Sequence, residues 1–261
     1  MHIRIICMCL LLGGMGFFSV KAQLLEKDTT AWSSALAGSF FLSTGNVDRL
    51  LLRADAAVKH LAPGWGFSSE QTYQYGTFGA FQTENDLFSR NFLYYQPRKQ
   101  VYPYAMLWLE SNYRKRIDFR YQVGPGVSWN LLGSDKHRMK CSLTGTYERT
   151  HFAGNDFVNA DPQSSAVIET LRLTGRIYGT HRLAGGKLLL LYEGWFQQSL
   201  RFRSNYRFHT HVVVQAPISR TVSLQSRLDY LYEHVVLRGV APGDLYLTVG
   251  AQVHVGWRPG R

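Results

Sequence analysis

The sequence predicts an all-β fold, a closed antiparallel up-and-down transmembrane β-barrel of about 12 strands. Apolar and polar residues alternate with period two, over segments longer than the ~5–6 residues usual for a soluble strand. Short connections alternate with longer ones along the chain, and aromatic residues gather at segment ends.

Twelve segments carry the pattern: 32–43, 50–60, 67–78, 87–96, 103–112, 118–131, 138–149, 165–178, 187–198, 205–217, 221–232 and 245–257. The segments at 87–96 and 103–112 hold apolar residues in both phases, so the pattern leaves their faces open. In 118–131 the odd positions are Phe119, Tyr121, Val123, Pro125, Val127, Trp129 and Leu131, against Arg120, Gln122, Gly124, Gly126, Ser128 and Asn130. Near the end, Tyr206, Phe208, Val212 and Val214 oppose Arg207, His209, His211 and Gln215. Val222, Leu224, Leu228, Tyr230 and Tyr232 then oppose Ser223, Gln225, Arg227 and Asp229. The final segment sets Leu245, Leu247, Val249 and Val253 against Tyr246, Thr248, Gly250 and Gln252.

With residue 32 on the periplasmic side, connections 61–66, 97–102, 132–137, 179–186 and 218–220 fall inside. The two longest, 150–164 and 233–244, fall outside. Trp32, Tyr104, Trp129, Tyr178 and Trp257 then mark the inner membrane boundary, and Tyr113, Tyr147, Tyr206 and Tyr232 the outer one. A lipocalin-like soluble barrel would show the same alternation with its faces reversed. Pattern alone does not separate the two.

Composition closes other routes. No run after residue 20 reaches the ~20 apolar residues of a spanning helix. Fifteen Phe, 15 Tyr and 6 Trp are too many for a disordered chain, and 3 Cys too few for a disulfide scaffold. Residues 1–22 read as a signal peptide: Arg4, an apolar run over 5–20, and Val20-Lys21-Ala22 before a cleavage between Ala22 and Gln23. Cleavage would remove Cys7 and Cys9, leaving Cys141, and the loss of Arg4 and Lys21 would take the net charge from +11 to +9. A short segment, 23–31, precedes the barrel at 32–257, and 258–261 form a tail. The expected location is the outer membrane of a Gram-negative bacterium.

If the apolar face meets lipid, its opposite lines a lumen. That face carries Arg53, Lys59, Arg120, Lys140, Arg172, Arg176, Arg207 and Arg227, against Asp55, Glu70, Glu148, Glu193 and Asp229. His209 and His211 share it. The reading is a mildly cationic interior, either a narrow pore for small anions and polar solutes or a barrel plugged by paired charges.

Catalysis is not expected. Outer-membrane lipid hydrolases often place His-x-Ser on one strand, and none of the nine His has Ser two positions later. His209 and His211, with Glu193 nearby, resemble a partial metal set, but no cofactor and no metal is expected. Export argues against nucleic acid, despite the basic balance. Arg114-Lys115-Arg116 and Arg201-Phe202-Arg203 lie in outer loops, where lipopolysaccharide phosphates are natural partners. Membrane lipid, lipopolysaccharide and the barrel-assembly machinery are the expected partners of a monomer.

The last strand resembles the outer-membrane insertion signal, with Thr248, Gly250, Val253 and Val255 in place and Trp257 close to the terminus; Arg258-Pro259-Gly260-Arg261 depart from it. Several motifs recur in a fixed order: Gly45-Asn46-Val47-Asp48, then Arg116-Ile117-Asp118-Phe119-Arg120-Tyr121 leading to Gly124-Pro125-Gly126-Val127 and Trp129. They continue with Ser204-Asn205-Tyr206-Arg207, Pro217-Ile218-Ser219 and Leu247-Thr248-Val249-Gly250. Across the whole mature chain this resembles the domain-of-unknown-function 481 family, also described as salt-induced outer-membrane proteins. The resemblance implies an outer-membrane barrel of uncertain function, with no catalytic residues. The role expected of the chain is envelope structural or salt- and stress-related, with weak permeability. A small solute- or anion-selective channel is the alternative, and a lipid hydrolase a more distant one.

Overall fold

Period-two alternation resolves into one twelve-stranded antiparallel sheet in the structure, a computed structural model that describes residues 32–253 apart from 135, 160–164 and 220–221. The strands are β1 (Trp32–Ser43), β2 (Arg49–Leu61), β3 (Trp65–Phe78), β4 (Phe81–Tyr95), β5 (Val101–Asn112), β6 (Ile117–Gly133) and β7 (His137–Phe152). They continue as β8 (Phe157–Val158), β9 (Val167–Leu183), β10 (Leu188–Ser199), β11 (Tyr206–Pro217), β12 (Val222–Glu233), β13 (Val236–Leu237) and β14 (Gly243–Val253). Neighbours pair in chain order from β1 to β14, while β8 and β13 pair with each other outside the main sheet. Among the described residues, strands occupy all twelve expected segments, the last of them as far as Val253. The signal region with Ala22 and Gln23, residues 23–31, and Val255, Trp257 and the tail 258–261 lie outside the described residues.

The sheet is rolled. Strands lie ~4.8 Å apart, so partners five places apart in a flat sheet would be ~24 Å away. Yet Arg120 on β6 donates to Glu233 on β12 at 2.8 Å, and Arg90 on β4 lies 3.5 Å from Glu193 on β10. Both pairs stand five places apart in the strand order.

Its two faces differ in kind, apolar outside and polar inside. Outward positions carry Leu87, Leu93, Phe119, Val123, Leu171 and Leu173 in the open, and Leu247 and Val249 are 68% and 74% exposed. Inward positions bury Arg120 and Arg172 to 3% exposure, Glu148 to 1% and Gln122 completely. A lipocalin-like barrel would need the reverse. In water each exposed Leu or Phe would forgo ~1.5–3 kcal/mol of transfer energy, which hydrocarbon contact would supply.

The sequence left two strands without faces, and the rolled sheet settles them. On β4, Glu84, Asp86, Arg90, Phe92 and Tyr94 point inward, with Leu87, Leu93 and Tyr95 outward; on β5, Tyr102, Tyr104, Met106 and Glu110 point inward. The inner aromatic belt is corrected accordingly. Tyr104 and Tyr178 are buried in the interior, whereas Trp32 is exposed at that rim as expected and is joined there by Trp65, the two rings tilted against His60 at 4.5 Å each. Gly126 makes the inward turn of Tyr104 possible, since a Cβ there would lie 2.5 Å from the ring. Among the described residues no helix is long and apolar enough to cross a membrane.

Candidate functional site

The densest chemistry lies inside the rolled sheet near its long-loop rim. Inward positions near the ends of six long strands bring Glu110, Arg120, Glu148, Arg172, Arg207 and Glu233 together, and the β5–β6 turn adds Lys115. Arg120 donates to Glu110 at 3.0 Å, to Glu233 at 2.8 Å and to Thr150 at 3.1 Å. Lys115 donates to the other oxygen of Glu233 at 2.8 Å. Glu148 accepts from Arg172 at 2.9 Å and from Arg207, and Arg172 also reaches Asn205 at 2.7 Å. Four cations and three carboxylates share one network. Charges so deeply buried are tolerable only when paired and hydrogen-bonded, as these are. The cavity left among Arg120, Glu148, Arg172, Arg207 and Glu233 is about 10 Å³, room for about one water molecule.

Toward the short-turn rim a second band crosses the interior. Arg90 donates to Glu70 at 2.8 Å and faces Glu193, which accepts from Arg176 at 2.7 Å. Gln197 donates to Gln122 at 3.2 Å across the gap between β10 and β6. Arg53 pairs with Asp55 at 2.8 Å, and Thr72 donates to the same carboxylate at 2.7 Å. Asp229 accepts from Arg227, sits 2.6 Å from His211 and lies 3.8 Å from His209. Glu193 is thus held by arginines and does not join the two histidines as a ligand. No group of three or more His, Cys, Asp or Glu among the described residues is arranged to hold a metal.

Below these lies an aromatic layer. Arg176 sits 4.3 Å over the Tyr178 ring, and Lys140 reaches the Tyr102 hydroxyl at 3.3 Å. Within the second band itself, Trp108, in register with Arg90 and Gln122, meets Trp195 edge-on at 5.9 Å, joining β5 to β10. Above the charged network, β8 and β13 tie the two longest loops together. Ile117, Phe152 and Leu237 form a small apolar cluster with Phe157, Ile168 and Val240, and Arg238 pairs with Asp156 at 2.8 Å.

A family model described as a protein of unknown function, DUF481, matches residues 37–254. The chain belongs to the DUF481 family. None of the curated proteins matches it. Among solved structures, the NanC porin in a rhombohedral crystal form matches with a TM-score of 0.49 and 12% identity, covering 85% of this chain and 99% of that chain.

In the DUF481 chain the interior charges that the sequence singled out fall into separate groups: Arg120, Glu148, Arg172 and Arg207 in one network, Glu70, Arg176 and Glu193 in another, and Arg53 with Asp55 and Arg227 with Asp229 as pairs. Those it missed are Glu84, Asp86, Glu110 and Glu233 on the acidic side and Arg90 on the basic side, and Lys115, expected in an outer loop toward lipopolysaccharide, is instead buried against Glu233. Their addition corrects the expected mildly cationic interior toward charge balance. Glu233 was the residue most open to detection, one step beyond a segment ending at 232 and in phase with Asp229 and Arg227. Of the insertion-signal residues, Thr248, Gly250 and Val253 lie on β14, opposite Arg227, Gln225 and Val222 of β12. In the outer turn of the DUF481 chain, Arg114 donates to Tyr246 at 2.8 Å and lies 3.5 Å from Asp86. Burial opposes its charge, but those partners more than offset it and hold its pKa above the ordinary value.

Proposed function

We propose that the sheet closes, β1 against β14, into an outer-membrane β-barrel of a Gram-negative envelope, exported by a cleaved signal peptide. Its main role is structural, with little passive permeability. The observation that carries this reading is the strut from Arg120 to Glu233, which crosses the interior at 2.8 Å with its charges matched at both ends. A lumen spanned by such struts, crossed by the Trp108–Trp195 pair and with the β8–β13 ladder tying the long loops above, leaves little continuous space for a solute. A salt- or stress-related role fits an envelope protein of this kind. Barrel-assembly machinery would insert it, and Arg116, Arg201 and Arg203 would face lipopolysaccharide phosphates.

Heat-modifiable mobility tests the barrel. Detergent-extracted chain should migrate differently before and after boiling, and a single unchanged band would count against closure. Planar-bilayer recording tests permeability, and near-silence is expected.

The second reading is an anion-preferring channel. It is favoured by the excess of four cations over three carboxylates in the charged network near the long-loop rim. Discrete, salt-dependent conductance steps in the unaltered chain would establish it in place of the structural role.

A further inference from the structure

The outward face is apolar along most of the sheet, but one patch at mid-depth on β3 and β4 is not. Ser69 and Gln71 of β3 stand beside Asn91 and Ser89 of β4, in direct register. Inward neighbours fix the side they occupy. Ser68 bonds to Tyr94, Glu70 to Arg90 and Thr72 to Asp55, all within the interior, whereas Tyr73, Leu87 and Leu93, in phase with the patch, are exposed. The four polar side chains bond to one another. Ser69 donates to Asn91 Oδ1 at 2.7 Å, Gln71 donates to Ser69 at 3.0 Å, and Asn91 donates to Ser89 at 2.9 Å. Asn91 also donates to the Leu107 carbonyl, at 3.4 Å.

We propose that this patch is the contact between two copies of the chain, packed face to face within the membrane. The inference rests on the outer-membrane reading above. Polar side chains in hydrocarbon cannot turn to water, so capacity left over within the cluster is relieved by another polar surface. The capacity left over lies at Gln71, which is half-buried and whose Oε1 is unused by the bonds within the cluster, while Ser89 is covered by its own neighbours at 6% exposure. A two-fold contact sets the Gln71 amide of one copy against the same polar cluster on its mate, because such an interface matches a surface with itself. The patch carries no charge, so an identical surface meets it without repulsion. Its surroundings permit close approach: Ala56 and Ala54 on β2 stand beside Gln71 and Tyr73, and Ala105 on β5 stands beside Leu93. Small residues of this kind are what membrane-embedded interfaces use to let backbones come together. The outward positions of β6, by contrast, are Phe119, Tyr121, Val123, Pro125, Val127, Trp129 and Leu131, which suit lipid.

The test is disulfide capture in phosphatidylcholine vesicles, using chain with Cys7, Cys9 and Cys141 replaced by Ser. Gln71→Cys should cross-link to itself on mild oxidation, and Val249→Cys, equally outward on β14, should not. In the same vesicles, energy transfer between labelled copies should show self-association that Gln71→Leu/Asn91→Leu weakens about tenfold or more. A heat-modifiable barrel that stays monomeric, or that cross-links equally at both sites, overturns this inference alone. A chain with no heat-modifiable form overturns the barrel reading and this inference with it.

Discussion

Arg120 and Glu233 meet at 2.8 Å across the interior, although β6 and β12 stand five places apart in the sheet. The contact joins two halves of the chain that share no hydrogen-bonded ladder, and it does so with fully buried charge. Glu233 is the hinge of the arrangement, since Lys115 and Arg120 both donate to it and Arg207 lies 3.9 Å away.

Glu233→Gln should therefore destabilise the chain by about 3–5 kcal/mol, because it leaves buried cations without their carboxylate. Urea unfolding in vesicles measures this, and a double-mutant cycle with Arg120→Met isolates the pair. The double variant should lose much less than the two single losses added together. Strict additivity would mean that the two side chains are hydrated separately and form no strut.

Gly126 gives an independent check on the interior aromatic layer. A Cβ at this position would lie 2.5 Å from Tyr104 Cζ, and Tyr104 in turn reaches Thr144 on β7. Gly126→Val should cost about 1–3 kcal/mol through overpacking, and Tyr104→Ala in the same chain should recover part of that loss. If Tyr104 faced lipid instead, as its place near a strand end suggests, Gly126→Val would be indifferent to it.

That contrast shows where the sequence was legible. Strand number and phase were readable because most strands keep apolar residues on one side, as β6 does between Phe119 and Leu131. The same rule failed on β4 and β5, where Phe92, Tyr94, Tyr102 and Tyr104 fill the interior while Leu87, Leu93 and Leu107 cover the outside. A binary pattern cannot mark an inward aromatic, so Tyr104 and Tyr178 read as belt residues. The charged network was half visible. Arg120, Glu148, Arg172 and Arg207 sit in clean alternation, but Lys115 and Glu233 lie at a turn and at a strand end, where period two stops. Pairing between strands five places apart leaves no local trace at all. Nor does the β8–β13 ladder, with two residues on each side.

Charge in the network near the long-loop rim should govern whatever ions pass. Glu148 holds Arg172 and Arg207, so Glu148→Gln exposes two guanidinium groups to the gap and should shift the reversal potential toward chloride. Arg172→Gln should shift it the other way. Bilayer recordings across a potassium chloride gradient read both. Identical reversal potentials in all three chains would show that current, if any, bypasses this layer.

The outward face carries the most general prediction. Leu173 lies midway along β9 and is exposed, and Val101 is exposed at the first position of β5, on the short-turn rim. In hydrocarbon, arginine costs about 2–4 kcal/mol at the midplane and about 0–1 near the interface. Leu173→Arg should accordingly lower folding stability in vesicles by several times more than Val101→Arg. Both substitutions add the same side chain to an exposed strand position, so propensity and packing change little between them, and depth is the variable that separates them. A water-soluble chain would tolerate both equally, and Leu173→Arg would even improve its solubility. Equal, small effects would thus remove lipid from the outer face, however well the strands are paired.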